Sequence, residues 1–341
     1  MSTAMGLQVA GLRQLEAEAA AGHPDVEACR RWLALSRQAD KFLALAETLN
    51  GRIGPRLGEE LASHQALLRS LLQRAESESR AFGDDVGAAA REGLGLRLAL
   101  VGKGGAGKTV IAASLARILA RRGRKVLAVD LDTNPGLAFS LGLPHDTKGL
   151  PPEAVEEHEG AAYGWHLASG LSSGDVVERF TTLAPDGVRY LGMGKIDESE
   201  KDAARRTMVA VLQVLRGFGD PSWDVIADLE AGPTSPFEGY HSFAQCVLLV
   251  VGPEWRSALT ARRLLSVIGD VPALVVANRA RGAADHPGLV PVVRVPFDPA
   301  VIEAETLGVA PLDHCLGSPA MKALADLADR VTTSPNEELT S

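Results

Sequence analysis

From residue 96 onward, short apolar runs alternate with segments of helical spacing. The runs cover residues 96–101, 125–132, 223–228, 246–251 and 273–278. Each has the length and composition of a buried strand, whereas a segment such as 108–122 repeats its apolar positions every three or four residues. This alternation predicts an α/β fold, a doubly wound and mostly parallel sheet over residues 96–332.

Residues 1–82 follow a different pattern. Helical periodicity runs through residues 7–21, 24–49 and 58–82, which predicts a small all-α domain, a helical hairpin or bundle, in front of the sheet. Residues 83–95 are expected to be a linker, and residues 333–341 a flexible tail. Two roles stay open for the helical domain: a stabilising appendage, or a module for partner docking or dimerisation.

A glycine-rich motif lies between the first predicted strand and the helix that follows it. It matches the phosphate-loop pattern G-x-x-x-x-G-K-[ST]. Glycines let backbone N–H groups approach a polyanion, the lysine meets the outer phosphates, and the hydroxyl can bind Mg²⁺. The motif predicts a nucleoside triphosphate bound with Mg²⁺, held by Gly102, Lys103, Gly104, Gly105, Ala106, Gly107, Lys108, Thr109 and Val110.

Acidic residues end the neighbouring predicted strands. Asp130 and Asp132 close the second strand, and Asp228 closes the third. Ligands of open parallel sheets lie beyond the carboxyl ends of the strands, so these acids are expected to face the phosphates and the metal. The predicted Mg²⁺ site is Thr109, Asp130 and Asp228, the last acting through water; the alternative for Asp228 is capping the next helix.

Two further positions bear on the nucleotide. Gly232 is placed to bring a backbone N–H to the last phosphate and to hinge a switch segment. Asn278 ends the fifth predicted strand, where its side chain either pairs with the edge of adenine or caps a turn. Guanine sites of the N-K-x-D type carry an acid where this chain has Arg281, which favours ATP over GTP.

The loop from Lys103 to Thr109 resembles the deviant phosphate loop K-G-G-x-G-K-T of the SIMIBI-class ATPases, which include ParA, MinD and the nickel-enzyme maturation ATPase CooC. Within this class the chain looks most similar to CooC. The stretches that carry this second similarity are residues 130–134, 190–195, 228–232 and 295–298.

The resemblance implies a homodimeric ATPase that hydrolyses ATP slowly and acts on a protein client. Lys103 would reach the partner subunit's nucleotide, Lys108 would bind the β- and γ-phosphates, and Asp132 would orient the attacking water. The catalytic residues would thus be Lys103, Lys108 and Asp132. Glu230 would relay the nucleotide state, and Pro296 would lie in the loop that touches the base.

The chain departs from the family pattern at two places. Gly136 stands where the family has an asparagine, so any contact of that side chain is missing. CooC proteins that bind nickel carry a C-x-C pair shortly after the strand ending in M-G-K, whereas residues 196–202 of this chain contain no cysteine. The metal-binding part of the CooC role therefore has no support in the sequence.

Net charge and hydropathy limit the kinds of partner that the chain is expected to bind. The net charge of −8 disfavours nonspecific DNA binding, and no apolar run approaches the ~20 residues of a membrane span. The last predicted helix, residues 319–331, lacks a cationic face for lipid. Three scattered cysteines and no signal peptide fit a cytoplasmic protein. Cys246 is expected in the core, and Asp313-His314-Cys315 is either a polar turn or a metal site shared across a dimer.

Three functions therefore compete. The chain could be a maturation or assembly ATPase resembling CooC, with an unidentified protein client. It could be a positioning ATPase resembling ParA or MinD, for which DNA binding would have to depend on ATP. It could also be a signalling or scaffold protein in which the N-terminal helices recognise a partner under the control of ATP.

Overall fold

The computed structural model describes residues 95–332, apart from 133, 135, 145, 158–164, 194–200, 238, 270, 282–285 and 287. The chain divides into two units, and all the described residues belong to the one formed by residues 93–159 and 163–341. The predicted helical domain at 1–82, nearly all of the predicted linker and the predicted tail at 333–341 lie outside the described residues, and so does Cys29.

Strands and helices alternate along the described residues as the pattern predicts. The strands are β1 (Arg97–Gly102), β2 (Lys125–Leu131), β3 (Val155–Glu157), β4 (Trp165–Leu167), β5 (Thr182–Leu183), β6 (Arg189–Gly192), β7 (Trp223–Leu229), β8 (Cys246–Val251), β9 (Ala273–Ala280) and β10 (Pro291–Pro296). The helices are α1 (Lys108–Arg121), α2 (Leu137–Leu141), α3 (Ser173–Arg179), α4 (Lys201–Gly217), α5 (Thr234–Phe237), α6 (Trp255–Ile268), α7 (Pro299–Leu307), α8 (Pro311–His314) and α9 (Pro319–Thr332).

Eight strands form one sheet in the order β10-β9-β8-β1-β7-β2-β6-β5. Every neighbouring pair is parallel except β5 and β6, and β3 with β4 forms a separate antiparallel hairpin. The predicted mostly parallel α/β sheet is therefore confirmed. Strand β1 lies in the middle, between β7 and β8, so the motif that follows it opens at the centre of the carboxyl edge.

Both faces of the sheet are covered, which explains why its strands are continuous apolar runs. On one face, Leu98 and Leu100 of β1 pack into a core with helices α1, α2 and α9. On the other face, Ala99 and Val101 pack into a second core with helices α3, α4 and α6. Cys246 at the start of β8 is buried in the first core, as predicted.

A buried ion pair fixes helix α1 on its outer side. The guanidinium of Arg117, 2% exposed, lies 2.6 Å from Asp186 and 2.7 Å from Asp313. Cys315 is buried and donates to the Pro311 carbonyl, while His314 lies 3.4 Å from Glu303. Among the described residues no group of three metal-ligating side chains occurs. Within one chain Asp313-His314-Cys315 is thus a polar segment whose Asp313 anchors α1, and the alternative of a metal site shared across a dimer stays a prediction.

Two carboxyl groups are buried at the carboxyl edge, on adjacent strands. Asp130 of β2 lies opposite Asp228 of β7, and both are fully buried. Burial, together with the nearby charge of Asp228, raises the pKa of Asp130 to about 7. Burial also raises the pKa of Asp228 to about 6, against the opposing effect of the Lys108 ammonium.

The raised pKa values predict how stability changes with pH. A carboxyl that binds its proton more tightly in the folded state stabilises the fold fully below its unfolded pKa, near 3.8, and loses that contribution as the pH rises. Without metal or nucleotide, the free energy of unfolding should fall between about pH 4 and pH 7. Urea denaturation at a series of pH values should show a smaller fall for Asp130→Asn. The exposed Asp326→Asn is the control and should keep the wild-type slope; equal slopes in all three proteins would contradict the assignment.

Candidate functional site

The glycine-rich motif forms a loop from the end of β1 to the start of α1. Gly105 and Gly107 have φ values of 75° and 93°, in the left-handed region where glycine is favoured. A Cβ at Gly102 would lie 2.5 Å from the Val250 carbonyl oxygen, so only glycine fits where the strand ends. The loop closes on itself through a 3.0 Å hydrogen bond from the Ala106 N–H to the Lys103 carbonyl.

The two lysines of the loop lie in different surroundings. Lys108 is the first residue of α1 and is buried, and its charge acts on Asp228. Lys103 is partly exposed, and its Nζ donates to the Gly104 carbonyl at 3.2 Å, so the ammonium lies over its own loop. One lysine thus points into the site from within, and the other borders its open side.

Thr109 and Asp228, two of the three residues predicted for Mg²⁺, are in direct contact. The Thr109 hydroxyl donates to Oδ2 of Asp228 at 2.6 Å. The other oxygen, Oδ1, is buried without a hydrogen-bond partner in the described part of the chain. An unpaired buried carboxylate oxygen is costly, and hydroxyl and carboxylate oxygens are ligands of Mg²⁺ or of its bound waters. The residues present therefore fit a magnesium ion.

Asp130 and Asp132 are arranged differently from Asp228. Asp130 accepts the backbone N–H groups of Asp132 at 3.1 Å and Leu137 at 3.0 Å, one on each oxygen. These bonds shape the turn after β2 and place Asp132, which is partly exposed and accepts the Asn134 N–H at 2.9 Å. The sequence predicted two acids at the end of a strand. It did not predict that Asp130 would be buried against backbone N–H groups while Asp132 stays partly exposed.

The segment after β7 is tied to the loop through its backbone. The N–H of Gly232 donates to the Gly102 carbonyl at 3.0 Å, and the predicted approach of a backbone N–H to the last phosphate stays a prediction. Glu230, predicted to relay the nucleotide state, lies two residues before Gly232 and is partly buried. On the side of α2, a Cβ at Gly136 would lie 3.4 Å from the Thr109 methyl group. The position that lacks the family's asparagine therefore adjoins Thr109, a residue predicted to hold Mg²⁺.

An open cleft adjoins the phosphate loop. Five residues predicted from sequence line it: Gly105, Gly107, Val110, Asn278 and Pro296. Phe297 also lines it and lies in the stretch 295–298, which was predicted to touch the base. Further walls come from α7 and α9, which carry no motif and were not predicted; their side chains include Ile302, Glu305, Met321 and Leu324. The cleft is largely apolar with a few polar groups, as small-molecule sites usually are.

Asn278 and Arg281 take different positions at the end of β9. Nδ2 of Asn278 donates to the Ala106 carbonyl at 2.7 Å, so the amide contacts the phosphate loop as well as the cleft. The Arg281 guanidinium lies 4.4 Å from the centre of the Phe297 ring and does not line this cleft.

Within the described part of the chain, no helix has the length and apolar character needed to cross a membrane.

Comparison with known proteins gives several relatives. The chain is 29% identical over 231 residues to the uncharacterized ATP-binding protein MJ0823 of Methanocaldococcus jannaschii, covering 62% of this chain and 90% of that protein. It is 25% identical over 237 residues to the carbon monoxide dehydrogenase accessory protein CooC of Rhodospirillum rubrum, covering 64% and 90%.

The fold has counterparts among solved structures. The septum site-determining protein MinD of Pyrococcus horikoshii OT3, solved with Mg-ADP, superimposes with a TM-score of 0.54 at 22% identity, over 70% of this chain and 97% of that one. The family model described as the CobQ/CobB/MinD/ParA nucleotide binding domain matches residues 98–287. That range holds the phosphate loop, Asp228 and Asn278, and the chain belongs to this family, CbiA.

Proposed function

We propose that this chain binds ATP with Mg²⁺ and hydrolyses it slowly, as a homodimer that acts on a protein client. The observation that carries the nucleotide part is the Thr109–Asp228 pair beside Lys108, with its unpaired buried oxygen. It lies at the centre of the carboxyl edge, next to a glycine loop and a largely apolar cleft. The ATP-binding relatives support the same reading.

Each group has a role in this site. The loop amides and the N-terminus of α1 hold the phosphates, and Lys108 supplies a fixed positive charge. Thr109 and Asp228 hold Mg²⁺, directly or through water, and Asp130 positions the turn that carries Asp132. The metal neutralises charge that develops on the phosphates. Asp132 is exposed enough to orient an attacking water.

The dimer is proposed from Lys103. Its ammonium rests on the Gly104 carbonyl at the partly exposed side of the loop. A second subunit that covers this side would receive the lysine as a positive charge supplied in trans, comparable to an arginine finger. Closing the site would also exclude water and strengthen the electrostatic interactions inside it.

The client is proposed to be a protein that needs assembly or maturation. The support is the similarity to CooC, whose name describes it as an accessory protein of another enzyme. The nucleotide state would set which conformation, and so which partner, is favoured. The N-terminal residues 1–82 are proposed as a helical domain available for docking.

Asp132→Asn tests the assignment of the attacking water. The variant should bind Mg-ATP within about twofold of wild type and lose hydrolysis by about a hundredfold or more, since a positioned carboxylate contributes about 10²–10⁴-fold. Calorimetry measures binding, and phosphate release measures hydrolysis. Lys108→Ala should lose binding itself, and the exposed Lys322→Ala on α9 should match wild type in both. Unchanged hydrolysis in Asp132→Asn would remove that residue from the mechanism.

Lys103→Ala tests the trans-acting lysine. The variant should bind ATP yet remain monomeric with a non-hydrolysable analogue, as measured by light scattering, and its hydrolysis should fall by about a thousandfold, as for a missing arginine finger. Lys322→Ala again serves as the control. A dimer of normal stability and activity in Lys103→Ala would show that Lys103 has no role across the interface.

Base preference is the third test. Because Arg281 replaces the acid of guanine sites and lies on Phe297, ATP should bind at least about tenfold more tightly than GTP in direct titrations, a typical effect of one unpaired polar group. Equal affinities would contradict the preference for adenine while leaving the phosphate site intact.

A further inference from the structure

Strand β9 contains a β-bulge next to the nucleotide cleft. Val295 of β10 pairs with Asn278, and the next residue, Pro296, pairs with Ala280. Arg279 is therefore an extra residue, and its φ of 54° lies in the left-handed region that residues other than glycine rarely adopt. Bulges re-aim neighbouring side chains and are frequent beside active sites.

Contacts on both sides hold this bulge. Nη2 of Arg279 lies 3.0 Å from Oε1 of Glu254, the residue that caps α6. The Phe297 N–H donates to the Ala280 carbonyl at 3.1 Å. Strand β9 is also paired with β8 as well as β10. Asn278 is thus carried on a rigid part of the sheet, which suits a residue whose side chain must be aimed accurately.

The aimed side chain meets the backbone of the phosphate loop. Nδ2 of Asn278 donates to the Ala106 carbonyl, 172 residues away in sequence, at 2.7 Å. A Cβ at Gly107 would lie 2.2 Å from the same nitrogen, so the amide packs directly on the loop. Because the partner is a carbonyl oxygen, the atom facing it must be the amide nitrogen.

We propose that Asn278 is a positioning residue for the phosphate loop. By holding the Ala106 carbonyl, it keeps the loop in the shape that presents backbone N–H groups to an anion. The affinity for a polyphosphate therefore depends on Asn278 even when no base is present. One amide has two N–H groups and an oxygen, so it can serve the loop and a base edge together. This rests on the proposed function in one respect: the loop binds a triphosphate.

The first test needs no ligand. In the nucleotide-free full chain, hydrogen exchange of peptides covering residues 102–109 should be about tenfold faster in Asn278→Ala, the usual effect of losing one hydrogen bond. Asn278→Asp keeps the shape of the side chain but cannot donate a hydrogen bond when ionised. It should show the same faster exchange, and it replaces the alanine variant if that variant does not fold. Arg281→Ala, at the same strand end, is the control and should exchange as wild type. Unchanged exchange in both Asn278 variants would overturn the proposal.

The second test uses tripolyphosphate with Mg²⁺, which has no base. Calorimetry should show that Asn278→Ala weakens tripolyphosphate and ATP by similar factors, about tenfold each. If only ATP binding weakens, Asn278 reads the base alone and the proposal is wrong. If wild type binds neither ligand, the proposed function fails instead, while the exchange result still decides whether Asn278 holds the loop.

Discussion

The hydrogen bond between Thr109 and Asp228 joins the phosphate loop to the middle of the sheet. One partner lies in the first turn of α1 and the other near the end of β7, so the bond requires both elements in register at the carboxyl edge. It also leaves a carboxylate oxygen buried and unpaired, a cost that persists only where the surrounding fold enforces it. A divalent cation bound there, as proposed, would offset that cost.

Three other contacts hold the loop and its neighbours from different directions. Asp130 accepts a hydrogen bond from the backbone N–H of Leu137, after β2. Gly232 donates to the Gly102 carbonyl from the β7 side, and Asn278 donates to the Ala106 carbonyl from β9. A loop rich in glycine has high conformational freedom in isolation. These contacts remove that freedom before any ligand arrives, so less ordering has to occur on binding.

The buried charges of the site oppose one another closely. Asp130 and Asp228 face each other across adjacent strands, and burial raises the pKa of both. Lys108 opposes the effect on Asp228, and the backbone N–H groups of Asp132 and Leu137 oppose it on Asp130. Mg²⁺ and a polyphosphate, if bound as proposed, would add charges of both signs beside these two carboxyl groups. Their pKa values would therefore depend on which ligand is bound.

The sequence by itself determined the sheet, because runs such as 246–251 are apolar throughout only when both faces are covered. It also determined the phosphate loop and the acids at strand ends, since these chemical groups and spacings are local. Only the tertiary structure decided that Asn278 meets Ala106 and that Phe297 joins Val110 in one cleft. Such contacts depend on strand order and on a bulge at Arg279, which arise from packing between distant segments and leave no local pattern.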